Sequence, residues 1–231
     1  VLGDREEAIT TALAGAYLDI PVAHLCGGDR AIGNVDDVVR HAVTKLSHIH
    51  LASNEQSKER ILRLGEEPFR VFNVGNPALD RFGDIPLVGR KELFGWLGFD
   101  HTLDSKPLLT VIQHVLSSEA EQAFDQMQET MEAIRQLGWP TVVSYPNSDA
   151  GSRELIRCVE GYRHLDHVRL FQHVPRAEFA STLRHSACLV GNSSLGLLEA
   201  PFLKLPAVNV GNRQKGRLHG DNVIFTAHPR D

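Results

Sequence analysis

No run of about 18 apolar residues that could span a bilayer occurs in the 231-residue chain. Nor does a basic stretch followed by an apolar one open it, so no secretory leader is read there and no membrane partner is expected. Cysteine is scarce. Cys26, Cys158 and Cys188 are odd in number and far apart, which excludes a full disulfide framework and a CxxC metal site and fits a reducing, cytoplasmic setting. Basic runs are missing as well, and 24 Lys plus Arg against 29 Asp plus Glu leave a net charge of −5. That balance argues against a nucleic-acid partner but allows a local basic pocket for a phosphorylated small molecule. HExxH is absent, and His48 and His50, separated by Ile49, read as strand alternation with both on one face, so no metal is expected. An initiator Met is missing too: Val1-Leu2-Gly3-Asp4 reads as the end of a strand running into its functional loop, and the protein is expected to extend beyond both ends. What remains is 42% hydrophobic, an ordinary globular composition; at about 150 residues per domain it suggests one or two domains.

Short β-branched runs alternate with helical patterns through the first 80 residues. Helices are expected over Glu6–Leu18, Asp36–Leu46 and Asn54–Leu64, and strands over Ile20–Leu25, Ile49–Ser53 and Val71–Gly75. Turn residues then accumulate between Ile85 and Lys106 around one short helix, Lys91–Leu97, which marks a domain boundary. Beyond it the alternation resumes. Strands are expected at Leu108–Gln113, Thr141–Ser144, Val168–Leu170, Cys188–Val190 and Ala207–Val210, with helices at Glu119–Leu137, Ser152–Glu160, Arg176–Ala187 and Ser194–Phe202. Strand and helix in this rhythm mean parallel sheets with helices on their faces. The expected organisation is α/β with two Rossmann-like domains: residues 1–88 as the later part of a first domain lacking its N-terminal part, 89–106 as linker, and 107–231 as the second domain.

Open α/β sheets bind ligands beyond the carboxyl ends of their strands, and most strands here end in polar residues. Gly191-Asn192-Ser193-Ser194 runs into a helix, where free N–H groups and hydroxyls suit phosphate. Taken alone, such residues are more often a helix N-cap; Arg213 after the next strand tilts the reading toward phosphate. Glu199 could accept hydrogen bonds from a ribose diol, or be only a surface residue. His114 and His173 each follow a strand and could donate to a diphosphate or sugar oxygen. Asp4, Asp29, Asp36 and Asp37 cluster in one half-domain. Crowded carboxylates split their pKa values and suit general acid/base work, although Asp36 or Asp37 could equally cap a helix.

Together GDR, AHLxGGD, VDDxxRHAVTKLSHIH, PNSDAGS, QHVP, GNSS and GNRQKGR resemble the UDP-N-acetylglucosamine 2-epimerase family in register across nearly the whole chain, most closely its hydrolysing branch of sialic and legionaminic acid synthesis. The resemblance implies a glycosyltransferase-B-like architecture. It implies that the second domain holds the nucleotide, that sugar chemistry occurs in the cleft between domains, that no redox cofactor or metal takes part, and that the protein self-associates as a dimer or tetramer. It further implies a reaction in which a carboxylate takes the C2 proton, UDP leaves to give a 2-acetamidoglucal, and the proton returns from the other face. Hydrolysing members then add water and release N-acetylmannosamine and UDP. Asp4 and Asp36 match the catalytic carboxylates, with Asp37 as the neighbouring alternate. Arg5, His114, Asn147, His173, Ser193, Ser194, Glu199 and Arg213 match positions that hold UDP or its ribose. Two positions depart from the pattern. Cys26 stands where many members carry Glu before the GG pair, which makes Asp29 after the pair the expected third acid, and Leu2 stands where His is usual. A non-hydrolysing epimerase giving UDP-N-acetylmannosamine, a UDP-sugar glycosyltransferase and a degenerate nucleotide-sugar binder remain alternatives, and N-acetyl and 6-deoxy-diacetamido sugars are both open.

Overall fold

A computed structural model describes residues 1–30 and 35–228, which divide into two units, Val1–Gly83 and a second beginning at Asp84. No helix among the described residues is long and apolar enough to cross a membrane.

The first unit contains α1 (Glu6–Tyr17), β1 (Ala23–Leu25), α2 (Val35–Leu46), β2 (Ile49–Ala52), α3 (Glu55–Arg63) and β3 (Val71–Asn73). Its strands pair in parallel in the order β1-β2-β3. Residues 1–3 run alongside β1 through a Leu2–Leu25 bridge, so Asp4 emerges at the carboxyl edge of the sheet. Ala8 and Ala12 of α1 pack with Val43 of α2 and Val22; Ile61 of α3 packs with Ala52 and Val71. His48 lies just before β2 and accepts the Val22 N–H at 3.2 Å, while His50 is fully buried within the strand; the expected shared face does not form.

Glu66 is a second structural centre of this unit. Its buried carboxylate meets Lys45 at 2.5 Å, Arg70 at 2.6 Å and His50 at 3.1 Å, joining α2, β2 and the turn before β3.

The second unit contains α4 (Arg90–Leu97), β4 (Leu108–Ile112), α5 (Ala123–Leu137), β5 (Thr141–Ser144), α6 (Ser152–Glu160), β6 (Val168–Phe171), α7 (Arg176–His185), β7 (Ser186–Gly191), α8 (Leu195–Leu198), β8 (Ala207–Val210) and β9 (Val223–Thr226). Its six strands are all parallel, in the order β6-β5-β4-β7-β8-β9. Alternation along β4 and β5 divides the core between two faces. Leu109, Val111 and Val143 meet Met127 and Met131 of α5 and Leu155 of α6 on one side. On the other, Leu108 and Val142 meet Leu93, Phe94 and Leu97 of α4, so residues 89–106 contribute a packed helix to this unit. The expected α/β class with parallel sheets holds in both units.

Two further elements differ from the sequence reading. The helix read over Ser194–Phe202 is a single turn, because the Ala200 N–H reaches back to the Leu195 carbonyl at 2.8 Å and Pro201 has no N–H with which to continue. The edge strand β9 was not anticipated. Its four residues, isolated after a turn-rich stretch, are too few to display a period.

Candidate functional site

In the second unit the strand order reverses between β4 and β7, and the crevice beyond their carboxyl ends is where such sheets take ligands. Gly191 makes that crevice possible. Its φ is +129°, and a Cβ there would stand 2.2 Å from the Ile112 carbonyl oxygen, a contact that no side chain tolerates. The chain therefore folds tightly over the end of β4, and the N–H groups of Asn192 and Ser193 both donate to Ile112 O, at 3.1 and 3.3 Å.

Asn192 then grips His114, two residues beyond the end of β4, at two points. Its Oδ1 accepts the His114 N–H at 2.7 Å and its Nδ2 donates to the His114 carbonyl at 2.9 Å, extending the β4–β7 pairing by one side-chain rung. The His114 ring accepts the Asn147 N–H on Nδ1 at 3.2 Å. With a backbone donor directed at Nδ1, the imidazole proton belongs on Nε2, leaving that N–H as a donor. Asn147 is braced by Asp149, its Nδ2 donating to Oδ2 at 2.7 Å. From the loop after β8, Arg213 Nη1 and Gln214 Nε2 both donate to the Asn192 carbonyl, at 3.2 and 2.7 Å. Arg217 in turn donates to Gln214 Oε1 at 2.8 Å. His114, Asn147, Ser193 and Arg213 are thus joined through one hydrogen-bonded frame.

Ser193 Oγ accepts the Leu195 N–H at 3.3 Å, whereas Ser194, the N-cap residue of α8, makes no side-chain capping bond. A helix of one turn has little macrodipole, so any anion binding here rests on individual N–H, O–H and guanidinium groups. Glu199 closes α8; its Oε2 is buried with no hydrogen-bond partner among the described residues, and burial pushes its carboxyl above the usual range. His173, after β6, is exposed and lines a cavity of about 220 Å³ together with apolar Phe171, Val174 and Phe179 and polar Ser144 and Gln172.

Asp4, Asp29, Asp36 and Asp37 of the first unit all lie at the carboxyl edge of its sheet. Asp4 follows the bridge at Leu2, Asp29 follows β1, and Asp36 and Asp37 occupy the first turn of α2. Asp4 pairs with Arg40 one α2 turn beyond Asp36; Arg5 lies 3.8 Å from Asp36, and His41 lies 3.9 Å from Asp37. Asp29 Oδ1 accepts the Arg30 N–H at 2.9 Å. Gly28 in the preceding turn has φ +77° and its missing Cβ would lie 2.3 Å from the Ser57 carbonyl, so α3 packs directly on this loop and Arg60 bonds the Gly28 carbonyl. Cys26 lies among these charges: burial raises its thiol, Arg40 opposes that, and Asp29 and Asp4 add to it.

His24 supports the set from below. Fully buried, its Nε2 meets the Gly3 carbonyl at 3.0 Å and its Nδ1 meets the Thr44 hydroxyl at 3.2 Å. Burial drives its pKa from 6.5 down to about 4. The folded form therefore binds fewer protons than the unfolded chain between those values, and stability is lost as pH falls through that window. About 3 kcal/mol disappears over the interval. Urea denaturation at stepped pH measures it, and His24→Gln removes that part of the slope.

Arg40, Asn192 and Gln214 stand in the quoted motifs but carry no individual role in the sequence reading. Arg40 had a signal, since four residues after Asp36 on a helix places it on the same face. Its Nε and Nη1 are buried without a partner among the described residues. Also among the described residues, no group of three or more His, Cys, Asp or Glu could hold a metal ion.

A family model described as UDP-N-acetylglucosamine 2-epimerase matches residues 1–231. The chain is 38% identical over 224 residues to a protein of Legionella pneumophila named UDP-N,N'-diacetylbacillosamine 2-epimerase (hydrolyzing), an alignment covering 97% of this chain and 58% of the relative. It is 33% identical over 227 residues to the UDP-N-acetylglucosamine 2-epimerase of Neisseria meningitidis, with the same coverage. The chain thus spans about 58% of the length of these relatives. Among solved structures, the Methanocaldococcus jannaschii UDP-GlcNAc 2-epimerase in complex with UDP-GlcNAc and UDP shares the fold with a TM-score of 0.76 at 16% identity, over 99% of this chain and 64% of that one.

Proposed function

The chain belongs to the UDP-N-acetylglucosamine 2-epimerase family, and from that premise we propose that it is a hydrolysing epimerase that converts UDP-N-acetylglucosamine to N-acetylmannosamine and UDP. The observation that carries the reading is the frame at the β4–β7 crevice, in which Asn192 holds the His114 backbone and Arg213 while the Asn147 N–H orients the His114 ring. In this reading the second unit binds UDP. Arg213, the His114 Nε2–H and the serine hydroxyls neutralise the diphosphate, which improves UDP as a leaving group. The Glu199 carboxylate takes the ribose diol, and the cavity beside His173, lined by both apolar and polar residues, suits a pyrimidine ring.

The carboxylates of the first unit do the proton chemistry. A carboxylate removes the C2 proton; the C2–H electron pair forms the C1=C2 bond as the C1–O bond breaks, and UDP departs with its oxygen. Water then adds across the double bond, its oxygen at C1, while an acid delivers a proton to the opposite face of C2. Asp4, held beside Arg40, is the base in this scheme; Asp29, Asp36 and Asp37 supply the acid and the activation of water. Incubation with UDP-N-acetylglucosamine should release UDP and N-acetylmannosamine in equal amounts. UDP-N-acetylmannosamine without free UDP would instead mark the non-hydrolysing reaction. The 38% identity to the Legionella protein supports a second reading, in which the substrate is the 6-deoxy-diacetamido sugar; parallel assays with both nucleotide sugars separate the two.

Glu199 gives this reading a thermodynamic signature. A ribose diol donates to the ionised carboxylate, while burial favours the protonated form. UDP binding therefore expels a proton, and affinity rises with pH through the raised pKa. Calorimetry in buffers of different ionisation enthalpy should detect the release. Glu199→Gln should abolish it and weaken UDP binding by about 10-fold or more, as expected for a lost charge-assisted hydrogen bond.

A further inference from the structure

We infer that Asn192 is a positioning residue for the nucleotide diphosphate, acting together with Gln214, and that it sets His114 and Arg213 at once. The role rests on reading the second unit as the UDP site. All four polar atoms of Asn192 take part in the frame. Oδ1 and Nδ2 hold the N–H and C=O of His114, the main-chain N–H is fixed on Ile112 O, and the main-chain carbonyl takes both Arg213 and Gln214. Asn192 and Gln214 are both buried, so neither competes with water for these bonds. Gln214 carries the frame outward, since its Oε1 receives Arg217.

Only an amide of this length does this. The two bonds to His114 require a donor and an acceptor on one planar group, which Asn has and ionised Asp, Ser or Ala lack. Without them, the end of β4 loses its last rung to β7. The His114 backbone is then free to rotate, and the ring no longer presents Nε2–H in the direction fixed by the Asn147 N–H. Asn192 touches no phosphate in this arrangement; it decides where the groups that do so stand.

The test is UDP affinity by calorimetry on the full chain, with circular dichroism as the check on folding. Asn192→Ala should weaken UDP binding by about 10-fold or more, the scale on which outer supports of a ligating histidine act. Gln214→Glu removes the donor to the Asn192 carbonyl but keeps the acceptor for Arg217, and should weaken binding about 5-fold, the worth of one hydrogen bond. Asn192→Asp supplies the sharpest readout. Its carboxylate faces the His114 carbonyl, and acidification restores an O–H donor, so its UDP affinity should recover relative to wild type as pH falls. A purely structural role predicts lower stability without that new pH dependence. Folded variants that bind UDP within about twofold of wild type, or an N192D deficit independent of pH, would overturn the positioning role. A wild-type chain that binds no UDP overturns the reading of the site itself, and the role with it. Should N192A fail to fold, Q214E and N192D decide the question alone.

Discussion

Asp4→Asn should lower kcat by about 10²- to 10⁴-fold, the range a positioned general base contributes, while UDP affinity stays unchanged. The separation follows from where the groups lie. Asp4 is at the carboxyl edge of the first unit's sheet, whereas the frame around Asn192 belongs entirely to the second. The same substitution should cost stability. Arg40 is buried against the Asp4 carboxylate, and two of its N–H groups already lack a partner among the described residues. Neutralising Asp4 leaves that guanidinium uncompensated, a change worth about 3–5 kcal/mol when one partner of a buried pair is removed, with the lower end expected because Asn retains an oxygen. Adding Arg40→Met separates the two effects: the double variant should recover most of the stability and none of the turnover. Retained kcat in Asp4→Asn would remove Asp4 from the chemistry and move the base to Asp36 or Asp29.

The second large effect concerns stability alone. Glu66→Ala should destabilise the first unit by about 3–5 kcal/mol, as a buried carboxylate with several charged partners requires. At roughly 2–4 °C per kcal/mol for a chain of this size, Tm should fall by about 10 °C. Burial by itself would raise the Glu66 carboxyl, but Lys45, His50 and Arg70 together hold it below the usual carboxylate range. A depressed folded pKa means that the contribution is present above the unfolded value and is lost only as pH drops through the folded one. Denaturation curves for wild type and variant should therefore converge in acid. At low temperature, where both remain folded, turnover should be equal; a variant that folds normally but is inactive would place Glu66 in the chemistry.

Strand–helix alternation made most of the architecture readable from sequence. β5 and α6 fall at the expected residues because β5 is a short β-branched run bounded by turn residues and α6 carries a clear helical period. Unit two became legible as a doubly wound sheet for the same reason, and motifs at the strand ends pointed to its binding edge. Less visible were features made by pairing distant segments. Asn192 meets His114 across 78 positions and Arg40 meets Asp4 across 36, and no local pattern announces either pair. Glu66, read locally, is an acid in a polar loop; its three partners arrive from α2, β2 and the following turn. α8 failed for a different reason. Its apolar spacing is helical, but a bond spanning five residues and a proline end it after one turn.

The strand order of the second unit also fixes when its crevice can exist. β4, β5 and β6 are contiguous in sequence, so half of the sheet can assemble as the chain emerges from the ribosome. β4 sits at the centre, yet its other neighbour, β7, begins only at Ser186. Until then β4 is an unpaired edge, with an open row of N–H and C=O groups that invites pairing with another chain. The Gly191–Asn192 closure follows at once, which makes the candidate ligand site among the last parts of this unit to form. Translation pauses or substitutions that delay β7 should therefore lower the yield of folded protein before they alter any property of the molecules that fold.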